Sequence, residues 1–265
     1  MLFRSMSGRH WAEYHQREPC ENPKKADQTM KHKHFSILFV SLLLFSLFPN
    51  PGLAGKIAPA ESDRIVALVY KKNIPVYTEY LGVESVSKSI IREYDGKTNA
   101  LKSTSEVTVR RKDYFYKEPE VQVLSFKKDG EDKDPSDHRL REAKPGHPVF
   151  DRKGTDHYIV KVINTEMIGK IECYRLDIQP KKPTARHFKG DIYLAVDTLD
   201  VVRTVGGAGS LDFPVKHFRA AFDYTLVDSV SVAQSGTIEV RIDFPVIYPD
   251  MLIITDTTII ESRPF

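Results

Sequence analysis

The stretch from Gly55 to Phe265 predicts a mainly β (α+β) fold, a single antiparallel meander preceded by one short helix. Three observations carry this. From Glu79 onward the apolar period is two rather than 3.6. Val, Ile, Thr, Tyr and Phe fill segments of strand length, and turn chemistry such as Asp95-Gly96 and Asp129-Gly130 separates them.

Met1 to Thr29 mix His, Arg, Glu and Pro with neither helical nor strand period, and read as a disordered or untranslated extension. Lys31, His32, Lys33 and His34 then precede an apolar run from Phe35 to Phe48 that only Ser interrupts. Pro49, Asn50 and Pro51 stop a helix, and Gly52-Leu53-Ala54 puts small residues where a signal peptidase reads. Residues 30–54 therefore have the layout of a signal peptide, with cleavage expected after Ala54 and Met30 as an alternative start. The run of about 14 residues is shorter than the roughly 20 that span a bilayer core. No Cys stands near Ala54 to carry a lipid. The expected location is the periplasm.

The remaining residues, 55–265, are expected to form one domain. Seven Lys and Arg and four Asp and Glu fall in the first 54 residues, which leaves 32 of each sign beyond them. A mature chain of near-zero net charge lacks the footprint of nucleic-acid binding, so no nucleic acid is expected among the partners. Cys173 remains alone once Cys20 is removed, so no internal disulfide is possible, and it reads as a buried small hydrophobe.

Glu61 to Lys72 place Ile65, Leu68 and Val69 at helical spacing, and Pro75 is expected to end that helix. Strands are predicted over Val83–Tyr94, Ala100–Lys112, Val121–Phe126, Tyr158–Thr165, Lys170–Ile178, Asp191–Val196, Val201–Val205, Lys216–Val227, Thr237–Ile247 and Met251–Ile260, about ten in all. A further helical signal lies between Ser136 and Ala143. Parity gives one apolar face: Tyr174, Leu176 and Ile178; Ile192, Leu194 and Val196; Phe218, Phe222, Tyr224 and Leu226; Ile238, Val240, Ile242 and Phe244. One helix cannot cover so much apolar wall. Either the sheet closes on itself around packed side chains, or it curves around a cavity that accepts an apolar ligand.

Gly169 to Lys181, a strand running into a Pro-Lys turn, and the hairpin Gly190–Asp197 with Asp200–Arg203 resemble the periplasmic outer-membrane lipoprotein carriers and lipoprotein-sorting proteins of the LolA/LolB type. That hairpin motif covers about 35 residues. The resemblance implies a strongly curved antiparallel sheet forming a half-barrel with few covering helices, whose concave face holds acyl chains. It also implies partners: lipid or lipoprotein acyl chains, and an inner- or outer-membrane transport component. The sequence departs from the family where the lid should be, since the covering helices are thin. Arg110 and Arg111 are candidates for a gating arginine only by lying on an early strand, and an Arg-Arg pair there reads as solvated. Without a lipidated Cys at the mature N-terminus, a soluble carrier or sensor fits better than an anchored receptor.

Other motifs read as structural. Asp129 to Asp137 (DGEDKDPSD) lack the ligand order of a calcium loop. His138, His147 and His157 lie far apart along the chain without helical i, i+4 spacing, so no metal is expected there. Gly206-Gly207-Ala208-Gly209-Ser210 reads as a flexible loop rather than a phosphate cradle, and no Gly-x-Ser-x-Gly occurs. Counting back by twos from Phe265 meets Arg263 and Glu261, which argues against an outer-membrane barrel strand. Neither catalytic residues nor a cofactor are predicted. The candidate lipid-binding residues are Val121, Val123, Tyr174, Leu176, Ile192, Leu194, Phe218 and Phe222. The competing expectation is a non-enzymatic interaction or scaffold protein whose sheet is packed solid, with its function on exposed edges or the Lys127–Phe150 loop.

Overall fold

The computed structural model describes residues 57–138, 146–243 and 250–265. The signal peptide expected at 30–54, its expected cleavage after Ala54 and the extension 1–29 lie outside the described residues. So does most of the helix expected between Ser136 and Ala143, of which the described part is a 3-10 turn, Pro135–Asp137. Among the described residues no helix is long and apolar enough to cross a membrane.

Helix α1 spans Pro59–Asn73, with Pro59 in its first turn, Glu61 near its N-terminus and Lys71 and Lys72 in its last turn. Each placement suits the helix ends and their dipole. Ser62, Ile65 and Val69 form the buried stripe. The helix ends at Asn73, just before Pro75, as expected, and Pro75 then caps a second short helix, α2 (Val76–Glu79), because its fixed φ also suits a helix start.

The strands are β1 (Gly82–Asp95), β2 (Leu101–Tyr114), β3 (Glu120–Lys128), β4 (Glu131–Lys133), β5 (Tyr158–Ile168), β6 (Ile171–Pro180), β7 (Phe188–Ala195), β8 (Val201–Ala208), β9 (Val215–Val227), β10 (Val230–Ile242) and β11 (Met251–Pro264), with a one-turn helix α3 (Gly154–His157) before β5. All eleven belong to one antiparallel sheet ordered β4-β3-β2-β1-β11-β10-β9-β8-β7-β6-β5. The sheet does not close, because β4 and β5 are its two edges. It is the strongly curved half-barrel expected from the sequence, mainly β with short helices.

Three sequence expectations change in detail. The meander is interrupted once: β4 and β5 are not paired, and β1, beside β2 on one side, pairs with β11 on the other. β10 begins at Val230 instead of Thr237, because Asp228 and Ser229 both adopt positive φ (47° and 65°) and make a tight turn that neither Gly nor Asn announces. Gly206, Gly207 and Ala208 are strand residues of β8, not loop. Glycine is required there by close approach: a Cβ on Gly206 would lie 2.3 Å from the Lys189 carbonyl oxygen and 2.7 Å from the Phe188 ring.

Register traces one row across the inner face: Val162, Leu176, Ile192, Thr204, Phe222, Gly236, Thr257, Ser89, Val107 and Phe126. At the β5–β7 end α1 covers the row. Ile65 and Val69 pack there with Val162, Leu176, Ile178, Ile192, Leu194, Val149 and Phe150. The Ser62 hydroxyl accepts the Val162 N–H at 2.9 Å, tying the helix to the β5 backbone. Lys72 forms an ion pair with Asp200 at the other end of the helix. At the β2–β3 end Val107, Val109 and Phe126 form a smaller cluster with Ile91 and Val123. Cys173 is fully buried, as its reading as a small hydrophobe requires. The outer face carries ion pairs along neighbouring strands, among them Lys88–Glu106, Arg92–Asp256 and Arg175 with both Glu166 and Asp191.

Candidate functional site

Between the two packed ends the inner face lies open. One cavity of about 620 Å³ is walled by Phe188, Gly206, Gly207, Phe218, Ala220 and Phe222, and Tyr224 closes it on one side. A second, of about 680 Å³, runs on over β1, β2, β10 and β11 past Ser87, Ser89, Val107, Ile238 and Thr257. Phe222 and Tyr224 line both, so the two make one trough. Each volume falls within the range of about 300–1,000 Å³ usual for small-molecule sites.

Strand alternation builds this lining. In β1 the odd residues Val83, Ser85, Ser87, Ser89 and Ile91 face inward, and in β11 so do Thr255, Thr257 and Ile259. The middle of the wall is therefore small and hydroxylated rather than continuously apolar. Ser89 and Thr257, opposed across β1 and β11, share a hydroxyl–hydroxyl hydrogen bond of 2.9 Å. Glycines make room for the rings. Phe222 lies directly across from Gly236, and Phe218 packs against Gly207. Burial pushes the Tyr224 phenol above its ordinary pKa, with Thr204 Oγ1 3.5 Å from its hydroxyl. Arg111 turns into the trough and binds Asp113 at 2.5 Å, whereas Arg110 is exposed beside Glu84 and Arg263. Both arginines reach solvent as expected, Arg111 with 39% of its side chain exposed, and they stand on opposite faces because adjacent residues of a strand face opposite ways.

The eight residues singled out from the sequence share the inner face but occupy different settings. Leu176 and Leu194 are fully buried and Ile192 is 5% exposed, all beneath α1, with Tyr174 packed against them. Val123 packs on the Val107–Val109–Phe126 cluster, and Val121 stands at the rim of the second cavity. Phe218 and Phe222 face the open trough. Period-two reading missed the serines and threonines of β1 and β11, although Val83-x-Ser85-x-Ser87-x-Ser89-x-Ile91 carries the same signal as an apolar stripe.

The histidines read as distant do not all stay apart. His147 and His157 come together, and His187 joins them from the turn before β7, while His138 sits apart against Phe126. Separation along the chain did not reveal this. The backbone of the segment at 147 meets the turn at 186, where His147 N–H donates to the Arg186 carbonyl at 3.2 Å.

The fold defines the protein as an open half-barrel with an internal trough. Comparison by fold finds a DUF1329 family protein from Desulfovibrio piger (13% identity, TM-score 0.39, covering 75% of this chain and 92% of that one). It also finds a protein domain from Vibrio parahaemolyticus described as outer membrane lipoprotein-sorting (11%, 0.42, 78% and 93%) and a LolA superfamily protein from Nitrosomonas europaea (9%, 0.36, 76% and 93%). No family model matches the sequence, and no curated relative matches it.

Proposed function

We propose that the protein is a periplasmic, non-enzymatic carrier or sensor that takes acyl chains of a lipid or lipoprotein into the trough, in support of transport to the outer membrane. The observation that carries this reading is the open inner face between the α1-covered core and the Val107–Phe126 cluster. There Phe218, Phe222 and Ile238 line open space. Apolar burial supplies the affinity, about 0.8 kcal/mol per CH2 withdrawn from water. The hydroxyls of Ser87, Ser89 and Thr257 give the ester or headgroup end of an amphiphile something to hydrogen-bond, which suits a lipid better than a pure hydrocarbon. The signal-peptide pattern of residues 30–54 supports an extracytoplasmic setting, where such a ligand needs shielding from water. An inner- or outer-membrane transport component is the proposed partner for loading or release.

The test is a titration of the purified protein with a fluorescent fatty acid, followed by displacement with an unlabelled phospholipid. Saturable, displaceable binding is expected. Its absence would sink the carrier reading and leave the scaffold alternative.

A further inference from the structure

We propose that His147, His157 and His187 form a site for one divalent transition-metal ion of the zinc class, at the edge of the trough, where His187 also lines the first cavity. One ligand nitrogen from each ring lies within 4.8 Å of the other two. His157 Nδ1 and His187 Nε2 are 3.5 Å apart. Two nitrogens on a tetrahedral zinc ion at about 2.0–2.1 Å sit roughly 3.4 Å from each other, so this pair already has a ligand separation. The His147 ring stacks on His157 with centroids 4.3 Å apart. It completes the set by tilting out of that stack and moving roughly an ångström.

The backbone holds all three residues. The His147 carbonyl accepts from the Tyr158 hydroxyl at 2.8 Å, the His157 carbonyl from Lys181 N–H at 2.8 Å, and the His187 carbonyl from Gly209 N–H at 2.6 Å. Thr184 Oγ1 accepts the Arg186 N–H at 3.2 Å and lies 2.7 Å from His187 Nδ1. With Nδ1–H donating to that hydroxyl, the His187 Nε2 lone pair points at His157, which is the outer-shell arrangement that fixes a metal-binding tautomer. The neutral imidazole is the ligand form. Of the fixed charges nearby, Asp151 favours a cation and Arg186 opposes it. His147 and His157 also line a surface cavity of about 440 Å³, so a fourth position is open to solvent or an incoming ligand. Three imidazoles with an open fourth place are the pattern of an exchangeable rather than a closed structural site, and imidazole selects zinc, copper or nickel over calcium or magnesium.

The experiment uses the full chain without a polyhistidine tag, stripped with chelator and titrated with zinc chloride by calorimetry and by competition with a chromogenic zinc indicator. One zinc per chain is expected. Loss of at least tenfold in affinity is expected in each of His147→Ala, His157→Ala and His187→Ala, with Thr184→Val weakening it by 10-fold or more. His217→Ala, on the outer face of β9 beside Glu239, should change nothing. Cobalt in place of zinc should give visible absorption of tetrahedral type, and circular dichroism confirms that each variant folds. Should a variant fail to fold, His157→Gln replaces it. No zinc uptake by the wild type, or equal uptake by the triple variant, would mean that the three rings are stacked packing alone and overturn the site.

Discussion

Phe222 and Gly236 face each other across β9 and β10, and a Cβ placed on Gly236 would lie 2.2 Å from the Phe222 ring. The ring is held at the junction of the two cavities because the opposing residue has no side chain. Gly236→Val should force Phe222 out of its place, with destabilisation of about 1–3 kcal/mol for overpacking. Thermal unfolding measures the stability. A ligand-binding titration should register the changed trough.

Filling the trough should block it without dismantling the core. Ala220→Phe and Ser87→Phe project into the two cavities, and each is expected to lower fatty-acid affinity tenfold or more while the far-UV spectrum stays that of the parent. Leu194→Glu is the contrast. Its carboxylate would enter the fully buried cluster beneath α1, so that variant should unfold rather than merely stop binding.

A hydrogen bond from the β5 backbone to one hydroxyl adds to the packing of α1 on β5. Ser62→Ala leaves the buried Val162 N–H without its acceptor, and loss of about 1–3 kcal/mol of stability is expected from equilibrium denaturation. Hydrogen exchange at Val162 should accelerate with it.

Acid sensitivity should trace in part to the β1–β2 turn. The Asp95 carboxylate takes the Lys102 ammonium at 2.9 Å and the Thr98 and Lys97 N–H groups at 2.9 and 3.1 Å. Lys102 first, then those backbone donors, hold its pKa well below the usual carboxylate value. A folded pKa below the unfolded one means that the stabilisation is present above about pH 4 and is lost as pH falls through the folded value. Asp95→Asn should therefore flatten the fall in melting temperature between pH 4 and pH 2, measured by calorimetry.

Period-two alternation made most of the strands legible, and it put Leu176, Ile192, Phe218 and Phe222 on one face correctly. Parity states which way a side chain points but not what covers it. Only the seating of α1 decides that Leu176 is packed while Phe222 is open, and that depends on contacts between residues a hundred positions apart, such as Ser62 and Val162. Gly206 and Gly207 misled because glycine weakens a strand signal even where a neighbouring ring demands it. The histidine cluster was hidden for the same reason as the helix seating, since His147, His157 and His187 meet only when the turn before β7 folds back over α3.

The pairing of β1 with β11 has a consequence for how the molecule assembles. Ser89 and Thr257, bonded through their hydroxyls, are 168 residues apart in the chain. Two ribbons of strands, one built from β1 to β4 and the other from β5 to β11, acquire a common seam only when the last of the strands is available. Such long-range closure slows folding relative to local hairpins. The two halves thus stay unjoined until nearly all of the chain is available to fold.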